Sequence, residues 1–326
     1  MVELRSFLYR FYMETYRFLC KTITYTGPLA PPLIKLAGKV QHRFAPNSLY
    51  ALNPVLVGGL TIWHDVEAVT AHALGHSLAM EEYELDTVQA LRRIARPGMT
   101  VLDVGANVGY FSLLSAQLVG PNGAVWSFEP VPRLRRILEK NVRDNGFEDR
   151  IKVVPQAVSD MPGMVQIHEN VSISARSSLY QATAAPESID VPKQLSSVAV
   201  ECTTLDLWAE KNNWPTVDII KMDIEGAETS ALKAMVELSR RNPQLKVIVE
   251  LNLTSLDAAN TKPEQLLMTI RACGFDRVTA IEQNMQIPDS LSAVSNFIEC
   301  LEQDRIKRGE TEAITNLLCE KANGYR

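Results

Sequence analysis

Apolar residues recur along this chain in two rhythms, and the segments they mark alternate. Short, mostly apolar runs, Thr100 to Val104, Ala124 to Phe128, Ile151 to Val154, Val217 to Met222 and Lys246 to Glu250, read as strands. Among them lie segments whose apolar residues fall three or four apart: Leu85 to Ala95, Phe111 to Leu118, Pro132 to Asn145, Leu205 to Lys211 and Pro263 to Ala272. These read as helices, and a further helix is predicted from Gly226 through Leu238. Strand alternating with helix predicts an α/β domain, a parallel sheet covered on both sides.

Towards the C-terminus the pattern predicts a sixth strand over Arg277 to Ile281 and a seventh over Asn296 to Leu301. The stripe Ile314, Leu317 and Leu318 predicts a closing helix over Glu310 to Lys321. Strand-like alternation also begins at Gly58. Val165 to His168 and Val198 to Thr203 flank a serine-rich stretch, Ser172 to Pro192, so 163–203 reads as a hairpin or loop insertion.

Met1 to Lys21 differs from the rest, mixing Leu4, Phe7, Leu8, Phe11 and Tyr12 with Arg5, Arg10 and Arg17 in an amphipathic helical pattern. The prolines at 28, 31 and 32 break it. The expected organisation is a basic, aromatic helical extension over 1–50, a main domain over 51–305 and a C-terminal helix over 306–326. A basic aromatic helix can lie in a membrane interface, giving peripheral contact through 1–21. Packing on its own domain or on a second subunit of a homo-oligomer is the simpler reading.

At 326 residues, 46 % hydrophobic and 22 % charged, the chain has the composition of a soluble globular protein with a large core. The net charge of −5 is uneven: the first fifty residues carry seven Lys or Arg against two Glu, a balance of +5 that leaves −10 for the remainder. An acidic main domain disfavours nucleic acid as a partner, since phosphate binding needs clustered Lys and Arg. Five cysteines without a C-x-x-C spacing, no apolar run of about 18 residues and no signal-peptide pattern predict a cytoplasmic protein with reduced thiols.

The chemistry concentrates in Met99 to Pro130, MTVLDVGANVGYFSLLSAQLVGPNGAVWSFEP. This reads as strand, glycine turn, helix, strand, acid, the first unit of a nucleotide-binding sheet. Gly105 and Gly109 are expected to allow a tight turn and the close approach of a ligand, with the following helix aiming free N–H groups at it. Glu129, at the end of the second strand, is placed for a ribose diol. A dinucleotide fingerprint would have glycine where Asn107 stands. Asp103 would repel a pyrophosphate but suits an ammonium, so S-adenosylmethionine fits better than NAD.

Three blocks, DVGANVGYFS, FEPVP and KMDIEGAE, in this order and spacing resemble the FkbM-type S-adenosylmethionine-dependent methyltransferases, over about Gly59 to Cys300. The resemblance implies a Rossmann-like, doubly wound seven-stranded class I methyltransferase sheet whose last strand is antiparallel. It also implies Tyr83 and Glu84 at the methionine end of the pocket. Asp103, Gly105, Asn107, Gly109, Ser112, Glu129 and Pro130 are then the expected cofactor residues, with Gln156 and Ala157 beside the adenine. The family modifies hydroxyls of sugars and secondary metabolites, which implies O-methylation of a small-molecule or glycosyl acceptor.

Methyl transfer to a hydroxyl needs alignment and a base. Asp223, Glu225, Glu228 and Glu250 fall where such sheets bind ligands, and crowding of carboxylates raises one another's pKa. Asp223 and Glu225 are the leading catalytic candidates, together with His168, whose intrinsic pKa suits a general base. Lys221 reads as a partner keeping those acids ionised, or as a structural ion pair. Asp223-x-Glu225 could instead hold Mg²⁺, a reading less favoured because no third ligand is assured. Two other functions compete: an NAD-dependent Rossmann oxidoreductase, and a non-catalytic binding protein that keeps the methyltransferase fold.

Overall fold

The computed structural model describes residues 52–65, 83–170, 177–179, 195–308 and 312–322. The expected extension over 1–50, with its membrane or subunit contact, lies outside the described residues. The chain opens with β1 (Leu52–Val57), β2 (Leu60–Asp65), α1 (Leu85–Ile94), β3 (Thr100–Val104), α2 (Tyr110–Val119), β4 (Ala124–Phe128) and α3 (Pro132–Asp144). Then come β5 (Ile151–Val154), β6 (Ala157–Val158), β7 (Gly163–Asn170), β8 (Ser177–Ser178), β9 (Leu195–Thr203), α4 (Leu205–Lys211), β10 (Ile219–Met222), α5 (Glu228–Lys233) and α6 (Val236–Arg241). The remainder is β11 (Lys246–Asn252), α7 (Leu253–Ala258), α8 (Pro263–Ala272), β12 (Arg277–Ala280), β13 (Met285–Gln286), α9 (Leu291–Arg308) and β14 (Ile314–Glu320).

The main sheet runs β13-β12-β14-β11-β10-β3-β4-β5. Strands β5, β4, β3, β10 and β11 pair in parallel, whereas β14 is antiparallel to both of its neighbours. This is the expected doubly wound sheet with an antiparallel strand, extended at one edge by the two-residue β13. Alternation along the strands divides the core: Val101, Val125, Ile219 and Ile248 face α1, α2 and α3, while Leu102, Ile220, Val247 and Val249 face α4, α5, α8 and α9.

Two C-terminal expectations are overturned. Asn296 to Leu301 lies inside α9, where Val294, Phe297 and Leu301 are buried at helical spacing. The antiparallel strand is instead β14, in the stretch expected to be the closing helix over 306–326. Inserted between β11 and β12 and covered on both faces, β14 buries Thr315, Asn316, Leu317 and Cys319 and shows no alternation. The helix predicted after Gly226 is also divided. Asp206 of α4 holds the break, its carboxylate accepting the N–H groups of Glu237 and Leu238 in the first turn of α6.

The insertion over 163–203 folds as β7 and β9, paired antiparallel from Gly163↔Cys202 to Asn170↔Leu195, in a small sheet ordered β6-β9-β7-β8. On the other side, the β1–β2 hairpin is tied to α3 by the buried Asn141. Its Oδ1 accepts from the Trp63 N–H at 2.7 Å, and its Nδ2 donates to the carbonyls of Trp63 and Val108. One asparagine thus connects an edge hairpin to the loop that leaves β3. Among the described residues no helix is long and apolar enough to cross a membrane.

Candidate active site

The carboxyl ends of β3, β4, β10 and β11 open onto a cavity of about 270 Å³. From β3 the sheet proceeds to β4 on one side and to β10 on the other, a switch point of the kind where open α/β sheets bind ligands. Gly105 leaves β3 at φ +87°, and a Cβ there would lie 1.8 Å from the carbonyl oxygen of Asp223. The glycine is therefore required by the contact between the β3 and β10 exits, where the Asp223 N–H also donates to Val104 at 3.0 Å. Gly109 (φ +94°) is similar, since a Cβ would fall 2.3 Å from Leu138 Cδ1. The expectation that both glycines make room for a ligand is corrected: Gly105 and Asn107 line the cavity, whereas Gly109 faces α3.

Asn107 takes φ +53°, the left-handed conformation a dinucleotide glycine would adopt and asparagine tolerates. Its N–H donates to Glu129 Oε2 at 2.8 Å, and the Val131 N–H donates to Glu129 Oε1 at 2.8 Å. Two backbone donors therefore orient the Glu129 carboxylate at the end of β4. Pro130, Gln156 and Ala157 also line this cavity.

Asp103, Lys221 and Ser127 stand side by side on β3, β10 and β4, in register and on one face of the sheet. Ser112 Oγ donates to Asp103 Oδ2 at 2.5 Å and accepts from Ser127 Oγ at 2.7 Å. Fully buried, Ser112 is not on the cavity wall, so the cofactor contact expected of it becomes a role in fixing Asp103. Lys221, 4 % exposed, donates to Asp223 Oδ2 at 2.7 Å and passes over the Phe111 ring. Burial alone would lower its pKa, but Asp223, Glu84 and Asp103 outweigh it and raise the ammonium above its ordinary value. Burial pushes the Asp103 carboxyl up, opposed by Lys221 and the Ser112 hydrogen bond. Glu84, in the left-handed conformation at φ +43°, is likewise raised by burial, with Lys221 opposing.

Beyond Lys221 the acids gather. Glu225 Oε2 accepts from Ser255 Oγ at 2.9 Å, and Glu228 accepts the N–H groups of Ile224 and Gly226 at 2.8 and 3.0 Å. Glu250, near the carboxyl end of β11, has its Oε2 buried and without a hydrogen-bond partner among the described residues, and burial followed by Asp223, Glu225 and Glu228 raises its pKa well above the usual carboxylate range. Oxygens of Asp223, Glu228 and Glu250 lie within 4.8 Å of one another, a trio that leaves out the Glu225 expected to share Mg²⁺ with Asp223. Glu228 already gives both oxygens to backbone donors and Asp223 gives one to Lys221, which leaves a poor ligand set for a cation.

Burial raises Glu228 to about 7. Because the folded form holds the proton more tightly than the unfolded chain, stability from this group is complete below about pH 4.5 and is lost as pH rises through about 7. Melting temperatures taken between pH 5 and 8 should fall more for the natural chain than for Glu228→Gln. Parallel curves would mean that the carboxyl is ionised throughout.

His168 is not brought to this site. Its strand neighbour Ile167 is buried against the cavity, so His168 projects from the opposite face of β7 and does not line it. A base must come within hydrogen-bond reach of the proton it takes, which removes His168 as a candidate. Sequence reasoning missed the wall formed by Ile167 and Leu179 of the insertion, and the pair Glu312 and Ile314 at the entry to β14. The helix expected over 310–321 hid that pair, because ITNLLCE spaces Ile314, Leu317 and Leu318 as a helix would.

The FkbM methyltransferase domain model matches residues 103–277, more than half of the chain. A 2-O-methyltransferase, NoeI, from Sinorhizobium fredii is 27 % identical over 44 % of this chain and 60 % of its own length. A protein-L-isoaspartate O-methyltransferase from Methanopyrus kandleri is 31 % identical over 35 % of this chain and 45 % of its own. The chain thus spans less than two thirds of either relative. A crystal structure of a methyltransferase FkbM from Methylobacillus flagellatus superposes with a TM-score of 0.35 at 17 % identity, covering 63 % of this chain and 47 % of the other. Joined to the three sequence blocks and to the order of the sheet, the match over 103–277 shows that this chain belongs to the FkbM methyltransferase domain family.

Proposed function

We propose that the protein is an S-adenosylmethionine-dependent methyltransferase acting on oxygen, with a hydroxyl of a sugar or secondary metabolite as acceptor. The observation that carries this reading is a set of buried acceptor oxygens, Asp103 Oδ1, Glu84 Oε2 and Asn107 Oδ1, that line one cavity and have no hydrogen-bond partner among the described residues. Each such atom costs about 1 to 3 kcal/mol. A ligand bearing an ammonium and hydroxyls removes that cost. Asp103 and Glu84 suit the ammonium, the oriented Glu129 carboxylate suits a ribose diol, and Gln156 and Ala157, flanked by Ile167 and Leu179, suit a flat base.

When bound, S-adenosylmethionine supplies an electrophilic methyl group on sulfur. The chain's own task is to align the acceptor and take its proton. Asp223, fixed by Lys221 and lying on the cavity wall, receives that proton. Glu225 and Glu250 beside it accept further hydroxyls of the acceptor, an arrangement that matches a polyhydroxylated molecule. A relative named 2-O-methyltransferase supports oxygen as the methylated atom. The acidic lining and the −10 balance outside the first fifty residues support a non-nucleic-acid acceptor. A cytoplasmic location goes with this reading, supported by five cysteines without a C-x-x-C spacing, and Mg²⁺ takes no part in it because protein donors already hold Asp223 and Glu228.

Calorimetry with S-adenosylhomocysteine and with NAD tests the cofactor. The first should bind and the second should not. Asp103→Asn should weaken S-adenosylhomocysteine about tenfold to a hundredfold, since it replaces a charged acceptor of the ammonium by a neutral one. Binding of NAD alone would overturn the reading in favour of an oxidoreductase.

A further inference from the structure

We propose that Lys221 is a cofactor-binding residue that reads the α-carboxylate of the methionine moiety, so that the floor of the cavity recognises a whole zwitterion rather than an ammonium alone. The inference rests on the cofactor reading above and extends it to a side chain that neither the sequence pattern nor the family match assigns. Among the described residues, Lys221 is the one basic side chain on the cavity wall, against the acids Glu84, Asp103, Glu129, Asp223, Glu225, Glu250 and Glu312.

The position of Lys221 follows from the sheet. Lys221 pairs with Asp103 across β10 and β3, so both side chains leave the same face from neighbouring strands. Asp103 Oδ1 has no partner among the described residues. An ammonium carries three donors, and the Lys221 hydrogen bond to Asp223 uses one. A fixed cation with donors to spare therefore adjoins a fixed anion with an acceptor to spare. An α-amino acid presents the complementary pair on a single carbon. A purely structural ion pair would need neither the place of Lys221 on the cavity wall nor the unpaired Asp103 oxygen.

The same geometry explains how seven acids can surround a ligand that carries a carboxylate of its own. Without a buried cation beside Asp103, that carboxylate would meet only like charge, which disfavours binding. The ring of Phe111 beneath the Lys221 ammonium, 4.6 Å from the ring centroid, keeps the cation in place on its apolar side.

The test compares S-adenosylhomocysteine with its decarboxylated analogue, identical but for the α-carboxylate, by calorimetry on the full chain. The natural protein should bind the analogue about ten- to a hundredfold more weakly, the worth of one charge-assisted contact. Lys221→Met should bring S-adenosylhomocysteine down to the analogue's affinity and leave the analogue within about threefold. Lys221→Arg should keep most of the discrimination. The double variant Lys221→Met with Asp223→Asn separates direct contact from screening: it should still fail to discriminate, because the carboxylate has lost its partner. If discrimination returns in the double variant, Lys221 only neutralises Asp223 and the proposal is overturned. Equal binding of both compounds by the natural protein overturns it too, with the cofactor reading intact. Failure of S-adenosylhomocysteine to bind at all removes the cofactor reading itself.

Discussion

Gly105→Ala should destabilise the protein by about 4 kcal/mol or more, at the far end of what single substitutions do. Two effects combine. A side chain at φ +87° carries a left-handed penalty of about 1 to 2 kcal/mol. The added methyl would also stand 1.8 Å from the Asp223 carbonyl oxygen, with the Ile224 side chain 3.0 Å away, so backbone has to move. The segments that must part are the exits of β3 and β10, which carry Asp103 and Asp223 to the cavity. Gly98→Ala supplies the control: its φ is +86°, but nothing lies within 4 Å of the new atom, so it should show the conformational penalty alone. Melting curves of both variants measure the difference, expected at about 2 kcal/mol or more, and S-adenosylhomocysteine affinity should fall only for Gly105→Ala. Equal melting temperatures would show that the close approach of the two exits is not a constraint.

Asp223→Asn should slow methyl transfer in a single turnover by roughly a hundredfold to ten-thousandfold, the usual worth of a positioned base. The substitution is nearly isosteric, and the amide oxygen can still accept from Lys221, so cofactor affinity should stay within about threefold. A fall in rate without a fall in affinity identifies a role in the chemical step. Glu250→Gln should do less. Its carboxyl holds a proton well above the usual range, with burial and the neighbouring acids as causes, so the neutral amide resembles the form already favoured. If Glu250→Gln costs the rate more than Asp223→Asn, the proton goes to Glu250 and the two assignments exchange.

The sequence of this chain could specify the layers of its fold because each core strand is a short run made mostly of apolar residues. TVLDV, AVWSF and KVIVE need no partner to declare themselves, since consecutive apolar residues in each leave no polar face for solvent. Asp103, Glu129 and Asp223 were equally legible, as polar residues placed at or beside the ends of such runs. Asn107 was legible as a departure from a glycine pattern, but its left-handed backbone is visible only in the structure.

What one dimension could not carry was pairing. ITNLLCE spaces its apolar residues as a helix would, and only insertion between β11 and β12 makes it a strand and brings Glu312 and Ile314 to the cavity. NFIECL is compatible with a strand until Val294, Phe297 and Leu301 are seen to share one buried side of a helix. His168 and Ile167 adjoin in sequence, yet the pleat of β7 sends one to the cavity and the other away. Lys221 stands 118 residues from Asp103, and register between β3 and β10 makes them neighbours. By itself the sequence determined which residues are buried, which are charged and where the chain turns, because these depend on local composition and spacing. Tertiary structure alone decided which strand lies beside which, and hence which charges share one cavity, because register is a property of two segments that the chain brings together only on folding.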